Sequence, residues 1–294
     1  MTVAPSDLAL AALPVERRRG MREYVRRHPT ILAGGVLLGA MVLMAIFAPY
    51  LGTSDPEALS PIQRLHWPSA QNWFGTDMLG RDVFSRTVYG ARVSLTVGLS
   101  VAVLSTAFGL VLGLLTGFIR WADAILMRIM DGLMSIPAIL IAIALMALTR
   151  ASLENVVFAI TVAEVPRVTR LVRGVVLTLR DLPFVEAAFA SGTSLPRILW
   201  RHIVPNTLPP LLVQATYVAA SAMIVEAILS FLGAGTPPNI PSWGNIMAEG
   251  RSLFQVAYYI VLFPGAFLSV TVLAINLLGD GLRDALDPRL ARRM

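Results

Sequence analysis

The sequence predicts an all-α integral membrane protein with six membrane-spanning helices. Three observations carry this expectation. Of 294 residues, 56% are apolar and only 14% charged, against about 25% charged in an average globular chain. The mean hydropathy is +0.70. The apolar residues also gather in long uncharged runs, and a helix needs about 20 such residues to cross a hydrocarbon core of about 30 Å.

The spans follow from those runs in order. The first has its apolar heart at 31–50, the second covers 93–119 and the third 132–149. The fourth, 156–177, is interrupted by Glu164, Pro166 and Arg167, which makes it the weakest of the six. The fifth runs over 203–232 through Glu226, and the sixth over 257–279. Between the first two lies a segment of about forty residues, 51–92, long enough to do something of its own. Its end, near 80–92, reads as an interfacial helix capping the outer mouth. Val83, Phe84, Val88 and Ala91 can share one side of it, with Arg81, Asp82, Ser85 and Arg86 mostly on the other. The expected organisation is therefore a tail at 1–28, a first span with outer segment at 29–92, a core at 93–281 and a tail at 282–294.

Arginine placement sets the orientation, because cytoplasmic flanks are enriched in basic residues. All 24 basic residues are arginine, and 18 of them fall inside if the N-terminus is inside. Arg64, Arg81, Arg86, Arg92, Arg150 and Arg251 make up the outer share. Both termini are expected in the cytoplasm, and the basic stretch before the first span reads as an uncleaved anchor. Arginines at span ends also explain the net charge of +6 without nucleic acid as a partner; the partner they imply is membrane lipid.

Composition excludes several chemistries. Cysteine is absent, which removes disulfides, zinc thiolates and thiol nucleophiles. Lysine is absent too, so there is no phosphate-binding GxxxxGK loop. No HExxH or GxSxG occurs, and His28, His66 and His202 have no spacing that could bind one metal. No catalytic residue and no cofactor is expected.

Within the spans, Gly109, Gly113 and Gly117 at four-residue spacing, and Gly35 with Gly39, offer faces for close helix approach. Pro137, Pro166, Pro209, Pro210 and Pro264 permit bends. Arg167, Arg170 and Arg173 share one broad face near the inner end, where they can snorkel. Only Glu164 reads as deep, with Arg167 as its ion-pair partner three residues on.

The inside stretch 181–206 carries the most information. Asp181 can cap a helix with Pro183 in its first turn. Gly192 can end that helix, and Ser194 with Pro196 can start another that stops before Pro205. Phe184, Val185, Ala188 and Phe189 give the first helix an apolar side. A small apolar helix in an inside loop is either a docking element for a partner or an interfacial helix on lipid.

Glu186, Ala187 and Ala188, then Gly192, then His202 and Pro205, resemble the EAA motif in permease subunits of bacterial binding-protein-dependent ABC importers. The stretches FGTDMLGRDVFSR (74–86), LSFLG (229–233) with PSWGNIMAEGR (241–251), and NLLGDGLRDALDPR (276–289) are similar to the C-type permease of its dipeptide and oligopeptide branch. Ala234 departs from a more usual LG repeat after LSFLG. The resemblance implies a type I ABC importer permease fold in the bacterial inner membrane. The six EAA-region residues would belong to a coupling helix that docks on a cytoplasmic ATPase. Implied partners are two ATP-binding subunits, a second permease forming a heterodimer, and an external substrate-binding protein. A passage between the two permeases would carry short peptides, with Glu164, Met223, Glu226 and Asn276 as its candidate residues. Related systems carry nickel chelates, glutathione or small glycosides. A reading from another class is an ion-coupled secondary transporter using Glu164 and Glu226.

Overall fold

The computed structural model describes residues 29–286, and the six arginines before Pro29, with His28, and the three after Leu286 lie outside them. Nine helices make up the described residues. They are α1 (Pro29–Ile46), α2 (Val83–Phe118), α3 (Arg120–Met134), α4 (Ala138–Ala147), α5 (Leu153–Arg180), α6 (Pro183–Ala190), α7 (Leu195–Phe231), α8 (Trp243–Gly250) and α9 (Tyr259–Leu286). No strand occurs among them; one isolated bridge joins Thr76 to Asp82.

Four helices, α1, α2, α7 and α9, are long and apolar enough to cross a membrane, or five if α3 and α4 count as one broken span. That pair bends by 90° around Ser135 to Pro137, where proline cannot continue the hydrogen-bond ladder of α3. The span expected at 132–149 thus takes in the end of α3, the bend at Pro137 and all of α4. The segment expected as the fourth span is a helix, α5, whose 28 residues extend about 42 Å, but it is not among the helices apolar enough to cross a membrane. Its charges at Glu164, Arg167, Arg170 and Arg173 explain why composition alone passes over it.

Side-chain register gives the helix directions. Gly109, Gly113 and Gly117 of α2 lie against Val168, Val172 and Val176 of α5, so closely that a Cβ on any of the three would overlap a valine side chain. Both numbers rise together, so α2 and α5 run parallel. Their contact is the most extensive between any two helices, and in lipid such close backbone approach supplies the dispersion contact that hydrophobicity cannot. The chain must therefore return across the bundle between them, and α3 with α4 makes that return. By the same reasoning Ser94 near Glu226 and Gly98 near Met223 make α2 and α7 antiparallel. Gly34 against Leu278, with Gly281 against Ile31, makes α1 and α9 antiparallel. Gly34, buried, is the glycine of α1 that meets another helix; Gly35 and Gly39 have open space around them, because they lie on the other side of the helix.

The outer segment departs from expectation. Residues 83–92 are not a separate interfacial helix but the first turns of α2, opened by Asp82, whose side chain accepts from the Ser85 N–H at 2.7 Å. Arg86, expected on the exposed side, is 1% exposed. The tight turn before it is centred on Asp77: Oδ1 accepts from the backbone N–H of Leu79 at 2.8 Å and of Arg81 at 2.9 Å. Its Oδ2 pairs with Arg81 Nε at 2.6 Å and Arg86 Nη1 at 2.7 Å. Glu249 of α8 closes the cluster, 2.6 Å from both Arg81 Nη2 and Arg86 Nη1. Two arginines and two carboxylates neutralise one another, which lets Asp77, Arg81 and Arg86 leave bulk water while Glu249 stays 29% exposed at the edge. Nearby, Trp243 donates from Nε1 to the Thr87 carbonyl at 2.9 Å, and Tyr259 donates to the carbonyls of His66 and Thr76. The segment is thereby fastened onto α2, α8 and α9.

Candidate functional site

The loop between α5 and α7 is built around α6. Leu182 takes the N-cap position and Pro183 the first turn, while Asp181, expected as the cap, instead ends α5. Gly192 has φ +72°; its N–H donates to the Phe189 carbonyl at 2.9 Å, and that of Thr193 to Ala188 at 3.1 Å. This is the Schellman ending, which needs a left-handed residue just past the helix. No atom lies within 4 Å of where a Cβ would sit on Gly192, so the backbone angle, not a close neighbour, calls for glycine.

The helix after Gly192 does not stop before Pro205. It passes through a π-helical turn at Leu199–Ile203 and continues as the body of α7. A π turn inserts one residue per turn, and it falls just before the proline whose missing N–H would interrupt an α ladder. α6 is therefore joined on one side to α5 and on the other to an unbroken helix of 37 residues.

Its two faces differ. Val185 is fully buried against the core that also holds Ile198 and Ile203, and Ala188 packs on the same cluster. Phe184 and Phe189 flank this strip on either side and are 43% and 45% exposed. Glu186, Ala187 and Gly192 are exposed, as is Pro205. His202 sits with its ring 6.0 Å from that of Phe184. The structure therefore brings together five of the six EAA-region residues with an exposed aromatic pair, and Pro205 lies three residues beyond His202. The apolar side expected from the sequence divides into a buried centre, Val185 and Ala188, and two half-exposed edges, Phe184 and Phe189.

The second group of candidates does not converge. Glu164 is 1% exposed; it accepts from Arg167 Nη1 at 3.1 Å and from Ser221 Oγ of α7 at 2.9 Å. The ion pair expected from their spacing is present. Met223 is packed in a cluster with Ala91, Trp243 and Ile275. Glu226 is completely buried, accepting from Ser230 at 2.8 Å and facing Ser94 at 3.4 Å. It is enclosed within the chain, although its place near the end of α7 suggested a shallow position. Asn276 is half-buried on α9. A cavity of about 460 Å³ touches Met223 but none of the other three.

Sequence reasoning missed two groupings. One is the Asp77, Arg81, Arg86 and Glu249 cluster, whose halves come from two separate motifs and are 163 positions apart between Arg86 and Glu249. The other is a ladder of ion pairs between α3 and α5. Arg170 pairs with Asp131 and Arg173 with Asp123, and Arg167 with Glu164 adds a rung within α5. Its signal was available: Asp123 and Asp131 on α3 are opposite in sign to the arginines on α5, and two aspartates eight residues apart are unusual in a helix beside apolar runs.

The described residues thus form an all-helical bundle with four or five helices apolar enough to cross a membrane and a short, partly exposed helix, α6, in the loop between α5 and α7. Residues 105–292 match the family of binding-protein-dependent transport system inner membrane components, and the chain belongs to that family. Residues 18–68 match the N-terminal transmembrane domain of oligopeptide transport permease C. The chain is 54% identical over 268 residues to a probable peptide ABC transporter permease protein of Sinorhizobium fredii, covering 91% of this chain and 92% of that one. It is 43% identical to a dipeptide transport system permease protein of Alkalihalophilus pseudofirmus, covering 91% and 88%. Among solved structures, the inward-facing MetNI methionine ABC transporter is similar in fold, with TM-score 0.57 and 23% identity over 69% of this chain and 97% of that one.

Proposed function

We propose that this chain is one of two different permease subunits of an ABC importer for short peptides, powered by ATP hydrolysis on two cytoplasmic partner subunits and supplied by an external binding protein. The observation that carries the proposal is α6: a short helix anchored by Val185 and Ala188 that presents Phe184 and Phe189 to the outside. A buried centre flanked by two half-exposed phenylalanines suits insertion into a groove of a partner subunit. Because α7 continues from this loop without interruption, a push on α6 is passed along a rigid helix into the bundle. Glu186, Ala187, Ala188, Gly192, His202 and Pro205 form the coupling element in this reading. The peptide substrate is supported by the named activities of the relatives. Of Glu164, Met223, Glu226 and Asn276, the first stands beside the passage through its half-exposed partner Arg167, while enclosed Met223 and Glu226 set helix packing.

Complexes solubilised in mild detergent and isolated through a tag on this chain are expected to contain an ATP-binding subunit and a second permease. Recovery of this chain by itself would contradict the proposal.

The orientation belongs to the same reading. The helix directions support six crossings, α1, α2, α3 with α4, α5, α7 and α9, which put α6 at the same end as Pro29 and Leu286. The arginine excess assigns that end to the cytoplasm. A reporter enzyme active only outside the cell is expected to be silent when fused after Met294; activity there would overturn the topology.

A further inference from the structure

Arg167 and Arg170 occupy an unusual position. α5 has 28 residues, and Arg167 is its fifteenth, so Arg167 and Arg170 lie about 20 Å and about 15 Å from the C-terminal end of the helix. Both side chains are half-exposed, 55% and 49%. The opposite side of α5 is closed against α2 by the glycine and valine contacts. A half-exposed guanidinium on an apolar bundle is accommodated by a water-filled cavity, by a protein partner or by snorkelling toward the interface. The three rungs also differ in how they are bonded. Arg173 holds Asp123 with two donors, Nε and Nη2. Arg167 uses Nη1 alone toward Glu164, and Arg170 uses Nη2 alone toward Asp131. Of five donors on each guanidinium, most are uncommitted, three residues apart on one side of a helix.

We infer that Arg167 and Arg170 line the water-filled passage and take the α-carboxylate of a peptide in transit, with Arg170 as the principal contact. The inference rests on the peptide-importer reading and adds to it the chemical group that this chain recognises. A guanidinium with free parallel N–H groups matches a carboxylate in geometry and charge. A single bond to Asp131 keeps the arginine oriented while leaving it exchangeable, which suits a site that must also release.

The test uses the complete transporter in proteoliposomes with ATP inside and a labelled dipeptide outside. Arg170→Gln is expected to lower uptake about tenfold, the loss of one charge-assisted contact. Asp131→Asn, which leaves Arg170 cationic and releases its partner, is expected to lose far less. The chain has no cysteine, so Arg170→Cys can be treated with aminoethyl methanethiosulfonate, which restores a cation, or with the uncharged methyl reagent. With partner subunits freed of reactive cysteine, recovery by the first reagent and not the second supports the assignment. Equal losses in Arg170→Gln and Asp131→Asn would reduce the ladder to a structural ion pair, and undiminished uptake in Arg170→Gln would also overturn the assignment. Absence of dipeptide uptake by the unaltered complex would overturn the peptide reading, and this assignment with it.

Discussion

Replacing Arg86 with methionine is expected to remove most of the protein from the membrane fraction. Arg86 is 1% exposed and bonds both Asp77 and Glu249. Methionine fills similar volume but leaves two carboxylates against one remaining arginine, with Asp77 still almost wholly buried. Breaking a buried pair by deleting one partner costs about 3–5 kcal/mol, against a total stability of about 5–15 kcal/mol. The cluster also joins the outer segment, α2 and α8, so its loss frees more than one contact. Yield in detergent extracts and the melting temperature of the purified chain check this. The solvent-facing Arg180–Asp181 pair, 40% and 74% exposed, supplies the contrast, since exposed pairs contribute about 0–1 kcal/mol. A normal yield for Arg86→Met would mean that the cluster contributes little to the fold.

Gly192→Asp is expected to abolish substrate uptake while leaving the chain folded and in the membrane. The positive φ of Gly192 costs an L-residue about 1–2 kcal/mol, too little to unfold the bundle. A side chain there meets nothing within the chain. Whatever the aspartate disturbs must then be the docking surface of a partner or the C-terminal end of α6, where a negative charge is also unfavourable to the helix dipole. Glu186→Ala, at an exposed position in the first turn, is expected to be much milder. ATP hydrolysis by the assembled complex separates the causes: continued hydrolysis without transport indicates lost coupling, and loss of both indicates lost docking.

Helices α1, α2, α7 and α9 were legible because each carries a long apolar run, and runs are a local property. What escaped was whatever depends on residues far apart in the chain. Arg81, Asp82 and Arg86 have the pattern of a solvated helix face, and nothing near them signals that Glu249 would neutralise two of them. For the same reason the start of α2 was placed ten residues late. The bend at Ser135 to Pro137 was visible as a proline, but a proline at the end of an apolar run does not state an angle. Gly109, Gly113 and Gly117 were readable as a packing face through their spacing, whereas choosing Gly34 over Gly35 and Gly39 required knowing which side of α1 faces α9. The EAA-region helix was almost fully readable, since its proline, its terminal glycine and its apolar residues act within one segment. Its division into anchored Val185 and free Phe184 was not, because that depends on where Ile198 and Ile203 lie.

The central claim is that ATP hydrolysis on partner subunits reaches the bundle through α6. Its most direct test is uptake of a labelled dipeptide into proteoliposomes holding the complete transporter, compared between the unaltered chain and Gly192→Asp, with and without ATP and with an ionophore that collapses the membrane potential. Uptake that requires ATP, survives the ionophore and disappears in Gly192→Asp is the expected result. Uptake that persists without ATP, or that Gly192→Asp leaves intact, would contradict it.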